Sequence, residues 1–176
     1  MHISQTIQFN GSHAHALYRA YLSSAEHAAM TFDGTHAATF RRGGADVESG
    51  EVGDQLLAIG AHGDDGGVRY SVSARVLELV PDQLIVHSWK SRAWDLALNQ
   101  SEITKLPSTV VLTFADNFMG AEIHLSHTNV PSYTVKIAET GEVGPLSEIT
   151  DRGWNIHYWD PMREHFASRV STGGAS

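Results

Sequence analysis

The sequence predicts an α+β fold in which one antiparallel sheet packs against a long C-terminal helix. A strand-like stretch and two short helix-like stretches open the chain, about six strand-like stretches then follow without an intervening helix, and an aromatic-rich stretch comes last. Strands that follow one another directly usually pair antiparallel, and such a sheet has one face to bury. The last stretch is the element expected to cover that face.

Length and composition indicate one globular domain. The chain has 176 residues, of which 41% are hydrophobic and 18% charged. A chain of this length can bury a core without disulfides or metals. We place the domain at residues 1–170 and expect the final "STGGAS", residues 171–176, to form a disordered tail.

Charge and cysteine content exclude several function classes. The net charge is −8 and the basic residues are scattered, which argues against nucleic acid or an anionic membrane surface as a partner. The absence of cysteine excludes disulfides and thiol catalysis. The N-terminal "MHISQTIQFN" lacks the organisation of a signal peptide, and no stretch approaches the roughly 20 apolar residues of a membrane span. We therefore expect a soluble cytoplasmic protein.

The first elements follow from alternation and capping. "ISQTIQF" alternates apolar and polar residues, as a strand does. Ser12 is placed to cap a helix whose inner stripe is Ala14, Leu17, Tyr18 and Tyr21. The spacing of Ser23 and Glu26 is that of a capping box, which predicts a second short helix.

The middle of the chain predicts strands joined by turns. The glycine-rich, acidic residues 41–54 indicate a turn or exposed hairpin, "LLAIGAH" a strand, and "GDDGG" a tight turn. In "VRYSVSARVLELV" the apolar positions change face near Val76, which predicts a bulge or a sharp bend. After "PDQ" comes the strand "LIVHSWKS", then a loop through Trp94 and Asn99. The strands "STVVLTFA" and "AEIHLSHT" form a predicted hairpin around "DNFMG".

Two structures fit the terminal "GWNIHYWDPMREHF", residues 153–166. As a helix, Trp154, Tyr158, Met162 and Phe166 recur every four residues on one face, with Pro161 bending the helix because it cannot bond to the carbonyl of His157. As a strand, residues 154–158 alternate and Pro161 starts a short helix. Periodicity alone leaves both open, but the stripe continues across Pro161, which favours one bent helix.

Several stretches resemble a known family. They are "GW..HYW.P....F" near the C-terminus, "LELVPDQLIVHSWKS" at residues 77–91, "LSHTNVP" at residues 125–131, and "FNGSHAHALYRAYLS" at residues 9–23. In this order they resemble the START-like superfamily, in the branch named after the activator of the ATPase of the ninety-kilodalton heat-shock protein. The resemblance implies a helix-grip fold: a bent antiparallel sheet wrapped around the terminal helix, with a cavity between them.

The resemblance also implies functions. Many members bind lipid-like or aromatic molecules, some are polyketide cyclases, and the eukaryotic domain stimulates a chaperone. The branch shares no fixed catalytic set, so no catalytic residue is assigned. This sequence departs from the pattern in a longer stretch at residues 131–153, which would supply a lid or an extra turn, and in residues 41–54, where the hairpin register is open.

Six residues are candidates for lining the cavity. His87 and His127 fall on alternating positions with apolar neighbours, so each is expected to point inward, and an inward polar group is one way to orient a ligand. The alternative is a core histidine bonded to a backbone carbonyl. Aromatic and sulfur-containing side chains would line the cavity or simply fill it; they are Trp89, Trp154, Tyr158 and Met162.

The sequence contains no motif typical of a metal site, a catalytic triad or a phosphate-binding loop. The eleven histidines include the pairs His13/His15 and His124/His127, whose spacing points the two members of each pair in different directions. No G-x-S-x-G elbow or phosphate-binding loop occurs. We predict no metal and no cofactor.

Three functions remain. The first is binding of a small apolar or aromatic ligand. The second is a cyclase or dehydratase in which His87 or His127 acts as general acid or base. The third is a chaperone-activating interaction module, which the sequence itself does not support because it reveals no exposed apolar patch. A homodimer is left open.

Overall fold

The computed structural model describes residues 1–31, 37–60, 69–95, 100–103, 107–136 and 143–172. The strands are β1 (Ile3–Asn10), β2 (Ala37–Arg42), β3 (Ala45–Val47), β4 (Gln55–Gly60), β5 (Arg69–Val80), β6 (Leu84–Asp95), β7 (Gln100–Ile103), β8 (Ser108–Asn117), β9 (Gly120–Thr128), β10 (Thr134–Lys136) and β11 (Val143–Pro145). The helices are α1 (Ala14–Leu22), α2 (Ser24–Met30), α3 (Leu146–Trp154), a π-helical segment (Asn155–Trp159) and α4 (Asp160–Thr172).

The strands form an antiparallel sheet whose main path runs β1-β9-β8-β6-β5-β4-β2-β3. The short β7 and β10 pair with the distal end of β6, and β11 pairs with β10. The predicted fold class is therefore confirmed: α1 and α2 follow the first strand, and the terminal helix packs on the sheet. Within the described ranges, no helix combines the length and hydropathy that a membrane span requires.

The predicted irregularity in the long strand β5 is a β-bulge. Val76 pairs with His87 and Glu78 with Val86, so Leu77 is the extra residue. Before the bulge Val72, Ala74 and Val76 are buried, whereas after it Leu79 packs against the core. One inserted residue changes which alternate positions face inward.

Helix α1 is capped differently from the prediction. Ser12 is not the cap; His13 occupies that position and makes no capping bond with its side chain. The backbone N–H of Ala14 instead donates to Oδ1 of Asp116, from the far end of β8, over 2.8 Å. The capping box of α2 is confirmed, since the Ser23 hydroxyl accepts from the N–H of Glu26 over 3.3 Å.

Two stretches contain more regular structure than predicted. Strand β6 continues to Asp95, so the expected loop begins later than Ser91. The punctuated stretch after Pro131 contributes β10, β11 and all but the end of α3. Glycines at positive φ, Gly43 and Gly44, make the tight turn between β2 and β3, which confirms the exposed hairpin. The predicted "GDDGG" turn lies outside the described residues.

The C-terminal stretch is helical, and the strand alternative is wrong. Helical structure begins at Leu146, earlier than Gly153, and continues to Thr172; the rest of the predicted tail, residues 173–176, lies outside the described part of the chain. Just before Pro161 the N–H of Asp160 donates to the carbonyl of Asn155, five residues back. Because Pro161 has no N–H and its ring crowds the carbonyl of His157 in a regular α-helix, the wider turn accommodates it.

Candidate functional site

The sheet contributes a row of polar and aromatic side chains to the interior. His87 and Trp89 alternate along β6, and Trp89 lies opposite Ser108 on β8. His127 of β9 lies opposite Val110, which in turn lies opposite His87. All four of these polar or aromatic side chains are buried. The predicted inward direction of both histidines is confirmed.

The terminal helix places its aromatic stripe over this row. The ring centroid of Trp89 lies 4.8 Å from that of Trp154 and 5.9 Å from that of Tyr158. Trp154 and Tyr158 are themselves 4.7 Å apart. Met162 is one α-helical repeat further along and fully buried. The sheet and the helix therefore meet through aromatic contacts.

Trp159 joins the same aromatic group, although α-helical spacing places it elsewhere. Its ring stacks on Trp154 at 5.2 Å, and its indole N–H donates to Oε1 of Gln5 over 2.6 Å. The π-helical turn explains this position, because a turn closed by an i to i−5 bond brings residues five apart toward one face.

The hydrogen bonds of His127 determine its protonation state. The indole N–H of Trp154 donates to Nδ1 over 3.1 Å, and an indole has no acceptor. Nδ1 is therefore unprotonated, and Nε2–H donates to the Ser108 hydroxyl over 2.6 Å. That hydroxyl donates in turn to the carbonyl of Trp89 over 3.1 Å. His127 is thus a neutral Nε2–H tautomer with both nitrogens engaged.

His87 has the opposite tautomer. Its Nδ1 lies 3.3 Å from the carbonyl of Ser88, which can only accept, so Nδ1 carries the proton. Nε2 then accepts from the hydroxyl of Tyr21, over 2.9 Å. The predicted alternative of a backbone-bonded core histidine therefore describes half of this arrangement, and Tyr21 of α1 provides the other half.

A third buried histidine, His27 of α2, belongs to the same interior. Its Nδ1 lies 2.6 Å from the carbonyl of Tyr21 and donates to it. Its ring contacts those of Tyr21 at 4.6 Å, Tyr158 at 5.7 Å and Phe40 at 5.9 Å. Helix α2 therefore connects the sheet histidines with the terminal helix.

Among the described residues, burial keeps the ionisable groups of this interior neutral near pH 7. It lowers the pKa of His27 and His87 to about 4 and that of His127 to about 3. It raises the pKa of the Tyr21 and Tyr158 hydroxyls. The described residues of this region can form hydrogen bonds but carry no charge, which is the character of a site for an uncharged molecule.

All six predicted cavity residues lie buried in the core, and five of them are joined through ring contacts. Their role in binding a ligand stays a prediction.

The sequence analysis missed Tyr21, His27 and Ser108 as polar members of the candidate site. Tyr21 stood in the predicted inner stripe of α1, which was a usable signal, whereas α2 has only seven residues and offered none for His27. Among the described residues no group of three or more histidines and carboxylates is arranged to hold a metal ion.

Solved structures share this fold at low sequence identity. An HSP90 activator from Plasmodium falciparum is 17% identical, with a TM-score of 0.61 and 95% of both chains covered. A protein from Cytophaga hutchinsonii is 13% identical, with a TM-score of 0.61 and 97% of both chains covered. A protein from Rhizobium leguminosarum is 12% identical, with a TM-score of 0.58 and 96% of both chains covered. At these identities the likeness concerns the fold.

The sequence comparisons identify the family. Among curated protein sequences, none matches this chain significantly. The family model described as "Activator of Hsp90 ATPase homolog 1-like protein" matches residues 12–167. Because this match spans most of the sequence and the helix-grip architecture agrees with it, the chain belongs to the Activator of Hsp90 ATPase homolog 1-like family.

Proposed function

We propose that this protein binds a small, uncharged, largely apolar or aromatic molecule between the sheet and the C-terminal helix. The binding residues in this proposal are His87, Trp89, His127, Trp154, Tyr158 and Met162. The observation that carries it is the aromatic interface in which Trp89 of the sheet contacts Trp154 and Tyr158 of the helix. Aromatic walls with a few placed polar groups are typical of small-molecule sites.

The neutral histidines also favour such a ligand over a charged one. A charged ligand would have to leave water for a region where His87 and His127 are held uncharged by burial. That transfer is costly without an opposite charge. An uncharged aromatic molecule avoids this cost and gains ring contacts with Trp89 and Trp154.

Thermal unfolding with naphthalene, biphenyl and decanol tests the proposal. A compound that binds only the folded protein stabilises it by about 2.7 kcal/mol when present at 100 times its dissociation constant, which raises the midpoint by several degrees. We expect at least one of the three to do so. Replacing Tyr158 with alanine is expected to weaken that stabilisation as well as lower the midpoint.

Phe118→Ser is the matched control. Phe118 is 95% exposed at the turn between β8 and β9, far in sequence from every proposed binding residue of the helix. The variant should respond to the compounds as the wild-type protein does. If none of the three compounds moves the wild-type midpoint, and Tyr158→Ala only destabilises, the aromatic stripe is core filling and the proposal fails.

A second candidate function is contact with a chaperone of the HSP90 class. The family description suggests it, and the exposed Phe118 with its half-exposed neighbour Met119 gives it an apolar point of contact that the sequence had not revealed. Calorimetric titration of a purified HSP90 with the wild-type chain and with Phe118→Ser tests it. Binding that the substitution abolishes supports this role, and absence of wild-type binding contradicts it.

The cyclase or dehydratase alternative has less support at its two named histidines. Both ring nitrogens of His127 are engaged, by Trp154 and Ser108, and both nitrogens of His87 are engaged, by Tyr21 and Ser88. A general base needs a lone pair that can reach the proton it removes. Neither residue presents one in this arrangement.

A further inference from the structure

His27 presents a basic nitrogen that the fold leaves unused. Its Nδ1–H donates to the carbonyl of Tyr21, so the proton of the neutral ring is on Nδ1 and Nε2 carries a lone pair. Nε2 is buried, and within the described part of the chain no donor lies within hydrogen-bond distance of it. A buried acceptor without a donor is costly, and most such atoms in native proteins have a partner.

The surroundings of His27 determine what kind of donor fits. Its ring lies against the rings of Tyr21, Phe40 and Tyr158. The ring of Tyr21 lies 4.6 Å from that of His27 and 6.0 Å from that of His87, so the two histidines share one interior. Among the described residues, the other titratable groups of this interior are Tyr21, Tyr158, His87 and His127, and burial favours the neutral form of each. An aromatic wall with a basic acceptor at Nε2 and no charged group among its described residues suits a neutral molecule.

We propose that Nε2 of His27 is the polar anchor of the ligand site and accepts a hydrogen bond from a hydroxyl or N–H group on an otherwise apolar, aromatic ligand. This inference rests on the proposed function and specifies its ligand class as phenol-like or indole-like. A carboxylate ligand, which only accepts hydrogen bonds, finds no donor at Nε2 and leaves its charge buried. An ether or a plain hydrocarbon fits the aromatic wall but leaves Nε2 unpaired.

Three probes of similar shape separate these cases: naphthalene, 2-methoxynaphthalene and 2-naphthol. Only 2-naphthol can donate a hydrogen bond. We expect the wild-type protein to bind it about 10-fold more tightly than either of the other two, the size of one hydrogen bond to a buried acceptor. 2-Naphthoate, the carboxylate of similar size, should bind more weakly than naphthalene.

His27→Asn tests the residue itself. The asparagine amide can still donate to the carbonyl of Tyr21, as Nδ1 does, but it has no atom in the place of Nε2. The variant should lose the roughly 10-fold preference for 2-naphthol over naphthalene that the wild-type protein shows. Met30→Leu, on the same helix, is the matched control and should keep the preference for 2-naphthol.

A second measurement does not depend on the variant folding. In wild-type protein labelled with ¹⁵N in histidine, 2-naphthol should shift the signal of the unprotonated Nε2 of His27, and 2-methoxynaphthalene should not. If 2-naphthol binds no more tightly than 2-methoxynaphthalene and leaves that signal unchanged, Nε2 of His27 is not the polar anchor, although the proposed ligand site is still supported. If no probe binds at all, both the anchor and the proposed function fail.

Discussion

Lowering the pH from 6 to 5 is expected to lower the free energy of unfolding by roughly 3 to 4 kcal/mol. The three buried histidines cause this, because burial holds the pKa of His27 and His87 at about 4 and of His127 at about 3. In the unfolded chain a histidine titrates near pH 6.5. Between these values the unfolded state binds protons that the folded state does not, so stability is complete above about pH 6.5 and is lost as the pH falls.

Urea unfolding at pH 7, 6 and 5 measures this effect. Each histidine that stays neutral in the fold contributes about 1.4 kcal/mol per pH unit well below pH 6.5. Hydrogen bonds from Arg169 to Glu26 and from Arg42 to Asp54 lower the pKa of these two carboxyl groups. They add a further loss of stability, mainly at lower pH. The window from pH 6 to 5 therefore reports chiefly on the histidines.

Two variants assign the pH dependence to particular residues. His87→Gln should remove about a third of the slope between pH 6 and 5, because one of three neutral histidines is gone. His13→Asn, which replaces a histidine with an 82% exposed side chain, is the control for a substitution outside the buried group. If the free energy of unfolding of the wild-type protein falls by less than about 1.4 kcal/mol between pH 6 and 5, the equivalent of one proton, the buried histidines titrate normally and burial does not hold them neutral.

Replacing Trp154 with alanine is expected to lower the free energy of unfolding by about 5 kcal/mol. Trp154 is buried, stacks on Trp159, and contacts Trp89 and Tyr158, so truncation leaves a large gap between helix and sheet. It also removes the indole N–H that donates to His127. The lost packing and the unpaired histidine nitrogen both contribute to the expected loss.

Trp154→Phe separates the two contributions. The phenyl ring keeps part of the packing, while Nδ1 of His127 loses its donor, and we expect a loss of about 2 kcal/mol. Ile156→Ala, on the same helix with a side chain 60% exposed, should change stability by no more than about 0.5 kcal/mol. Should the phenylalanine variant be as stable as the Ile156 variant, the bond from Trp154 to His127 contributes nothing.

Much of the fold was predictable because local patterns and tertiary packing agree. Alternation placed His87 and His127 on the inner face, and the change of face in β5 correctly indicated a bulge at Leu77. The capping box at Ser23 marked the start of α2. The cap of α1 was not predictable in the same way, because its acceptor, Asp116, comes from a hairpin about a hundred residues away in sequence.

The C-terminal helix shows where periodicity fails. Repeats of four residues placed Trp154, Tyr158 and Met162 correctly but placed Trp159 elsewhere. The π-helical turn before Pro161 changes the local spacing, and Trp159 consequently stacks on Trp154. A proline inside an apolar stripe signals that the regular spacing changes, but not whether the helix bends or widens.

The polar half of the candidate site depends on contacts that sequence patterns do not contain. Ser108 is an ordinary first residue of a strand until β8 pairs with β6 and β9 and brings its hydroxyl to His127. His27 belongs to a helix of only seven residues, too short for a clear inner stripe. Its importance comes from the carbonyl of Tyr21 and from the rings around it.

The histidine tautomers test the central claim most directly, because the interior of the candidate site contains three neutral histidines with fixed hydrogen-bond partners. In ¹⁵N-histidine spectra of the wild-type protein from pH 7 to 5, we expect His27 and His87 to carry the proton on Nδ1 and His127 to carry it on Nε2. None of the three should become charged in that range. A charged form of any of them as the major species above pH 5, or the opposite tautomer at His127, would contradict the arrangement.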